Sequence, residues 1–201
     1  MKKSIVLVLL LVSGVIMAQK TEVLAGSFEN LKGITEYNLV FDYNGLIVDG
    51  IPEDEFLNYR IKEQDYKNSL EENAKLFKAN WHSYKESHFA PKFIASFNKR
   101  FDGKVKADRN LTTAKYTGTV KATYMHPGYA GSGDSPVTNA TLTITETANP
   151  ANVLLVYTFT MEKNVPKELF YGSYAHDAGK IIGENYSKFA KMFAADLKKV
   201  Q

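Results

Sequence analysis

Residues 114–124 read AKYTGTVKATY, and they alternate almost without interruption. Ala114, Tyr116, Gly118, Val120, Ala122 and Tyr124 fall on one side, Lys115, Thr117, Thr119, Lys121 and Thr123 on the other. A period of two with small and aromatic residues on one face and threonine and lysine on the other is a β-strand with one packed face and one wet face. Such a strand needs partners at its edges and a cover for its dry side.

Working outward, the following segment VTNATLTITET (137–147) repeats the pattern, with Ala140, Leu142 and Ile144 inward and threonines outward. Asn149-Pro150 reads as the turn into a third strand, 152–162, in which Leu154, Leu155, Val156, Tyr157 and Phe159 leave less distinction between faces. The three make an antiparallel meander whose last strand is the more buried. On the N-terminal side, TEYNLVFDY (35–43) is a further strand, with Tyr37, Leu39 and Phe41 opposed to Asn38, Val40 and Asp42, and Tyr43-Asn44-Gly45 as its turn.

The cover comes from helical segments. Pro52 followed by Glu53, Asp54 and Glu55 starts a short helix carrying Phe56, Leu57 and Ile61, since proline suits the first turn and carboxylates suit the positive end of the dipole. Leu70, Ala74, Phe77, Trp81 and Tyr84 then recur at spacings of 4, 3, 4 and 3, one stripe of a helix whose other face holds Glu72, Lys75, Ser83 and Glu86. Another helix begins near Pro91, turns Phe93, Ile94, Phe97 and Phe101 inward, and ends at Asp102-Gly103. The C-terminal stretch 175–200 aligns Ala178, Ile182, Asn185, Phe189, Met192 and Phe193, with Lys198 and Lys199 at its negative end. The order strand, helices, three strands, helix predicts an α+β fold of two layers, a mainly antiparallel sheet with helices packed on one face.

The first eighteen residues, MKKSIVLVLLLVSGVIMA, have the organisation of an export signal: a basic start at Lys2 and Lys3, an apolar run from Ile5 to Met17, and Ala18 before the cut. The run is shorter than the ~20 residues a membrane-crossing helix needs, and no second apolar run of spanning length follows. Residues 1–18 are therefore read as a signal peptide and 19–201 as a single domain, exported to the periplasm or the exterior with no transmembrane segment left after cleavage. The chain has no cysteine, hence neither a disulfide framework nor a thiol for lipid attachment. Of the formal net charge of +3, two units belong to Lys2 and Lys3, which leaves 19–201 near neutral at +1. That removes the electrostatic case for nucleic acid as a partner.

Catalytic and cofactor signatures do not assemble. His82 and His88 lie six apart, which a helix does not bring onto one face, and His126 and His176 have no cysteine to complete a zinc set. No serine sits in a G-x-S-x-G elbow, so no catalytic, cofactor-binding or metal-ligating residue is assigned. The most unusual stretch is the loop HPGYAGSGDSP, 126–136, which interrupts the regular strands. It lacks the G-K-[ST] ending of a phosphate-binding loop and joins two strands instead of opening a helix. Its His126, Gly128, Tyr129, Gly131 and Asp134 are the candidate partner-binding residues, because exposed loops on a rigid scaffold carry binding more often than core energy.

LKGITEYNLVFDY (31–43), APKFIASFNKRF (90–101), YTGTVKATYMHPGY (116–129) and AHDAGKIIGENYSKFAKMFAADLKK (175–199) together resemble an uncharacterised group of exported Bacteroidetes proteins. The resemblance implies lineage and compartment and assigns no catalytic residue. In fold pattern the chain is more distantly similar to α/β domains of periplasmic envelope-assembly lipoproteins, which carry a lipidated cysteine that is missing here.

The function expected from these readings is an exported, non-enzymatic envelope protein that binds another protein or a surface polymer through the wet face of the sheet and the 126–136 loop. Two alternatives compete with it. One is a carrier whose Tyr116, Tyr124, Tyr157, Phe159 and Trp81 line a cavity for a small hydrophobic ligand. The other is an enzyme with a dispersed site built from His126, Asp134 or Glu146. Export is expected to remove residues 1–18 and leave Gln19 first. Intact-mass measurement of protein from the native envelope checks this, and Met1 retained on membrane-bound protein would contradict it.

Overall fold

The computed structural model describes residues 19–58, 71–128, 136–161 and 178–201. Eight strands lie among them: β1 (Gln19–Gly26), β2 (Glu36–Asp42), β3 (Ile47–Val48), β4 (Ile51–Pro52), β5 (Lys106–Asp108), β6 (Tyr116–His126), β7 (Val137–Glu146) and β8 (Asn149–Met161). The chain is also helical over 53–58. Helix α1 (Glu71–Tyr84) runs through a π-turn, Lys85–Phe89, directly into α2 (Ala90–Asn98), and α3 (Ala178–Leu197) closes the fold.

The meander read from 114–162 is the centre of one mixed sheet of order β1-β8-β7-β6-β2-β5. β6, β7, β8 and β1 pair antiparallel, whereas β2 lies parallel to both β5 and β6. β3 continues the parallel pairing along β6, with Ile47 opposite Tyr124 and Val48 opposite Met125. The inward residues of the central strands, Val120, Ala122, Ala140, Leu142, Ile144, Leu155, Tyr157 and Phe159, are all buried, as the alternation requires.

Helix α2 ends at Asn98, short of Asp102-Gly103, and β8 is exposed over its first five residues instead of being the more buried strand; three further details depart from the sequence reading. The β7–β8 turn is Thr147-Ala148, since Glu146 already pairs with Asn149. Thr147 draws the turn onto β6, its amide bonding to the Lys115 carbonyl at 2.8 Å and its hydroxyl to the Ala114 carbonyl at 2.9 Å. Pro150 is thereby left at the start of a strand, where its missing donor is tolerated. In β6 the register slips between Ala122 and Tyr124, which oppose Ala140 and Asn139. Thr123 is the extra residue of a β-bulge, and its hydroxyl donates to the Asn139 carbonyl at 3.2 Å. One added residue reverses every later side chain, so Tyr124 shares a face with Lys121 rather than with Ala122. Finally, β1, β5 and the β3–β4 pair were not read from the sequence, because strands of two or three residues leave no period and β1 follows directly on the apolar leader.

A single aromatic layer joins sheet and helices. Phe97 of α2 stacks on Phe193 of α3 with ring centres 5.6 Å apart, and Phe189 stacks on Phe159 of β8 at 5.1 Å and on Tyr157 at 6.1 Å. The Tyr157 hydroxyl donates to Asp196 of α3 at 2.7 Å, which satisfies the polar end of a buried ring. Between the helices, Ser96 donates to the Ser187 carbonyl at 2.7 Å. α1 reaches α3 where Gly179 meets Tyr84, and a Cβ there would lie 2.0 Å from the ring. The C-terminal stripe read from sequence is buried at Ile182, Asn185, Phe189 and Phe193, and half-buried at Met192. Tyr186, Ala190 and Leu197 widen it.

Trp81 is buried against Phe56, ring centres 5.8 Å apart, and its indole N–H donates to Glu53 Oε1 at 2.6 Å. It therefore clamps α1 to the 53–58 turn. Leu70 and Ile61 lie outside the described residues, as do the side chains of Ala74 and Phe77. Trp81→Ala is expected to cost ~3–5 kcal/mol through the cavity and the lost transfer energy. Denaturant melts read this, and a loss below about 1 kcal/mol would show the clamp to be unimportant.

Candidate functional site

Among the described residues, polar side chains stand in a defined arrangement at the base of the 126–136 loop, around Glu53, and on the face of the sheet turned away from the helices. At the first, His126 is fully buried and its Nδ1 lies 2.8 Å from Asp49 Oδ1. Asp49 and Gly50 form the two-residue turn between β3 and β4, with φ of +54° and +90°. Both central residues of such a hairpin turn need positive φ, which is why an Asp-Gly pair sits there. The Asp49 amide bonds to the Met125 carbonyl at 2.9 Å, so the hairpin is tied to β6 by backbone and side chain together.

Of the candidate partner-binding residues, His126 is thus an anchor for the start of the loop, with no exposed surface of its own. Gly128 is buried with φ of +74°. Tyr129, Gly131 and Asp134 lie outside the described residues. The sequence reading missed Asp49, although Asp-Gly between Ile47-Val48 and Ile51 is a hairpin signal that could have found it. Near this pair the Tyr124 hydroxyl is pushed up to about 12, by burial first and by the Asp49 charge second, and stays protonated throughout the neutral range.

Of the residues named for a dispersed catalytic set, Asp134 lies outside the described residues, and His126 and Glu146 do not come together. His126 pairs with Val137 at one end of β7, and Glu146 ends the strand nine residues on, a span of ~30 Å. Nor do the proposed carrier residues share a cavity. Trp81 packs on Phe56, Tyr157 and Phe159 lie in the aromatic layer, and Tyr124 is on the other face. Among the described residues no three His, Asp or Glu groups approach closely enough to hold a metal ion. His82 is exposed, and His88 Nδ1 meets Ser87 Oγ at 2.8 Å.

A second polar cluster is consumed by structure. Glu53 accepts from Lys85 Nζ at 2.7 Å as well as from Trp81, and Lys85 also sits 4.7 Å from the centre of the Tyr43 ring. Tyr43 and Tyr186 face each other beside this pair, and burial raises both hydroxyls well above the usual phenol range. Each carboxylate oxygen of Glu53 holds one of these two side chains, so the cluster ties the 53–58 helix to α1 and the π-turn.

The sheet face opposite the helices is different. Register places Thr119 opposite Thr143, Thr117 opposite Thr145, and Thr141 opposite Thr158, so that threonines of β6, β7 and β8 adjoin across three strands. Val40 of β2 flanks Thr119, and Asp42 flanks Lys121, with Lys121 Nζ 3.8 Å from its carboxylate. The Thr117 hydroxyl bonds to that of Thr147, and the Thr158 hydroxyl to the Glu22 carbonyl. The hydroxyls of Thr119, Thr141, Thr143, Thr145 and Thr160 make no hydrogen bond to any described residue. Each can donate one bond and accept two, beside a methyl group that presents apolar surface. No helix among the described residues is long and apolar enough to cross a membrane.

No family model and no curated protein sequence matches the chain. Among solved structures it is similar to the PelC dodecamer from Paraburkholderia phytofirmans, with a TM-score of 0.42 and 10% identity over 90% of this chain and 97% of that one. A dodecamer of a point variant of the same protein gives the same values. A likeness this distant carries no argument about what the chain does.

The Asp49–His126 contact is testable by its two components. Asp49→Ala removes the bond and the tolerance of positive φ together, and is expected to cost about 3 kcal/mol, whereas Asp49→Asn keeps an acceptor and that tolerance and costs clearly less. Equal losses in thermal or denaturant melts would mean that neither φ nor the side-chain bond matters there.

Proposed function

We propose that the protein is an exported, non-enzymatic binding module of the cell envelope, and that it holds an uncharged, hydroxyl-rich polymer along the open face of its sheet. The observation that carries this reading is the set of five threonine hydroxyls, spread over β6, β7 and β8, that have no hydrogen-bond partner among the described residues. Strands ~4.8 Å apart with outward residues ~6.8 Å apart make a regular lattice of hydroxyl and methyl groups. A sugar chain presents the complementary mixture of hydroxyls and C–H surface. Each contact is weak, and a polymer sums many of them.

The chemistry of the face supports a polymer over a protein partner. Protein interfaces centre on buried aromatic or arginine anchors, and the middle of this face has none. Lys121 is matched by Asp42, so the described residues in the middle of this face offer no unmatched cation to a polyanion.

The test is retention of the purified protein on envelope polysaccharide freed of protein. Thr119→Val, Thr141→Val and Thr143→Val combined keep side-chain volume and remove three hydroxyls. Retention is expected to fall at least about tenfold, while stability changes little, as for other surface substitutions. Undiminished retention of the folded triple variant would contradict the proposed surface. Failure of the wild type to bind the polymer, with capture of envelope proteins instead, would favour the protein-partner reading.

A further inference from the structure

Strand β1 forms one edge of the sheet: its inner side pairs with β8, and no described residue pairs with its outer side. An unpaired strand edge is a row of unmet donors and acceptors that proteins normally shield with charge, shortness or a bulge. β1 is eight residues long. Its one bulge, between Val23 and Ala25, leaves Gln19–Val23 in regular register. Val23 and Leu24 are 41% and 59% exposed, and Val153 of the neighbouring β8 is 41% exposed. Three large apolar side chains thus stand in solvent at or beside this edge.

The charges on this edge choose a partner. Lys20 and Glu22 both face the open side, opposite Thr160 and Thr158, while Gln19, Thr21 and Val23 face the helix side, opposite Met161, Phe159 and Tyr157. Suppose that β1 pairs antiparallel with β1 of a second copy about a two-fold axis perpendicular to the sheet. Residues that oppose each other must then face the same way, so the axis passes through a residue and not between two. An axis at Lys20 sets lysine against lysine, and one at Glu22 sets glutamate against glutamate. An axis at Thr21 sets each Lys20 against the other copy's Glu22, twice, and lays Gln19 beside the exposed Val23. Like charges directly opposite destabilise a strand pair and opposite charges stabilise it, so only the Thr21-centred register is self-complementary.

The geometry points to a two-fold dimer of this chain, joined edge to edge through Gln19–Val23 with Thr21 on the axis. Both helix layers then lie on one side of a continuous sheet, and both threonine faces on the other. The inference does not depend on what the open face binds. It does require Gln19–Val23 to be free of the eighteen residues before them, so it concerns the exported protein.

Sedimentation of the purified exported protein over a wide concentration range tests it, together with Lys20→Glu and Glu22→Lys. The wild type is expected to dimerise reversibly. Lys20→Glu sets glutamates against glutamates and Glu22→Lys sets lysines against lysines, so each variant alone should dimerise about tenfold more weakly. Mixed one to one they should form a heterodimer as tight as the wild type, since each variant supplies the other's missing charges. Lys20 and Glu22 are exposed and 3.9 Å apart within the chain, a pair that adds little to folding. Circular dichroism of each variant confirms that any loss is one of association. A wild type that stays monomeric, variants that dimerise as well as the wild type, or a mixture that fails to recover would each overturn the proposal.

Discussion

The aromatic layer between the sheet and α2 and α3 is the contact on which the rest of the structure depends. Phe189 and Phe193 meet Tyr157 and Phe159, Phe93 and Phe97 pack on Phe41 and Tyr37 and on the α3 rings, and each ring buries a large apolar area. On the sheet, Gly118 leaves room for the aliphatic side chains beside it, since a Cβ there would come within 2.9 Å of Leu39 and 3.1 Å of Ile144. The described helices that pack on the sheet are thereby committed to one side. No described helix covers the other side, and threonine suits such a face, being a good strand former that carries a hydroxyl. The open polar face follows from the placement of the aromatic core.

A second constraint acts at the end of β6. The Thr123 bulge turns the strand over, bringing Tyr124 to the open side and Met125 into the core, where it pairs with Val48. β2 and β3 lie in succession along the same edge of β6, and the chain between them, through Gly45 and buried Leu46, spans the bulged stretch. The Asp49-Gly50 turn then returns the chain and delivers the carboxylate to His126. The same few residues therefore fix the start of the 126–136 loop, and the buried pair they contain is understood as support for that loop.

Much of this was legible in the amino-acid order, and the failures have physical causes. Long segments with a clean period, such as 114–122, 139–146 and the C-terminal helix, were read with their burial correct, because each buries one face and the pattern records which, whereas Thr138, read as outward, is buried opposite Met125. Tyr124 was assigned to the wrong face because a bulge adds a residue without disturbing the local alternation of residue types. β1 was missed because the apolar leader before it carries the stronger signal and its own residues alternate weakly. β5 is held from outside its own segment: Asn98 bonds to both the amide and the carbonyl of Ala107, at 2.8 and 2.9 Å. On the functional side, His126 was selected for lying in an unusual loop. Its partner Asp49, 77 residues away, could be linked to it only by topology. The threonine face was visible as a wet side, but register alone showed which hydroxyls adjoin.

The central claim is that the open face of the sheet, and not the helix layer, is the working surface. Methyl NMR of residues 19–201, labelled at threonine, isoleucine and leucine and titrated with protein-free envelope polysaccharide, tests it most directly. Shifts concentrated on Thr119, Thr141, Thr143 and Thr145, with Ile182 and Leu197 unmoved, are the result this account predicts. Shifts confined to methyls of the helix layer, with the threonine face silent, would contradict it.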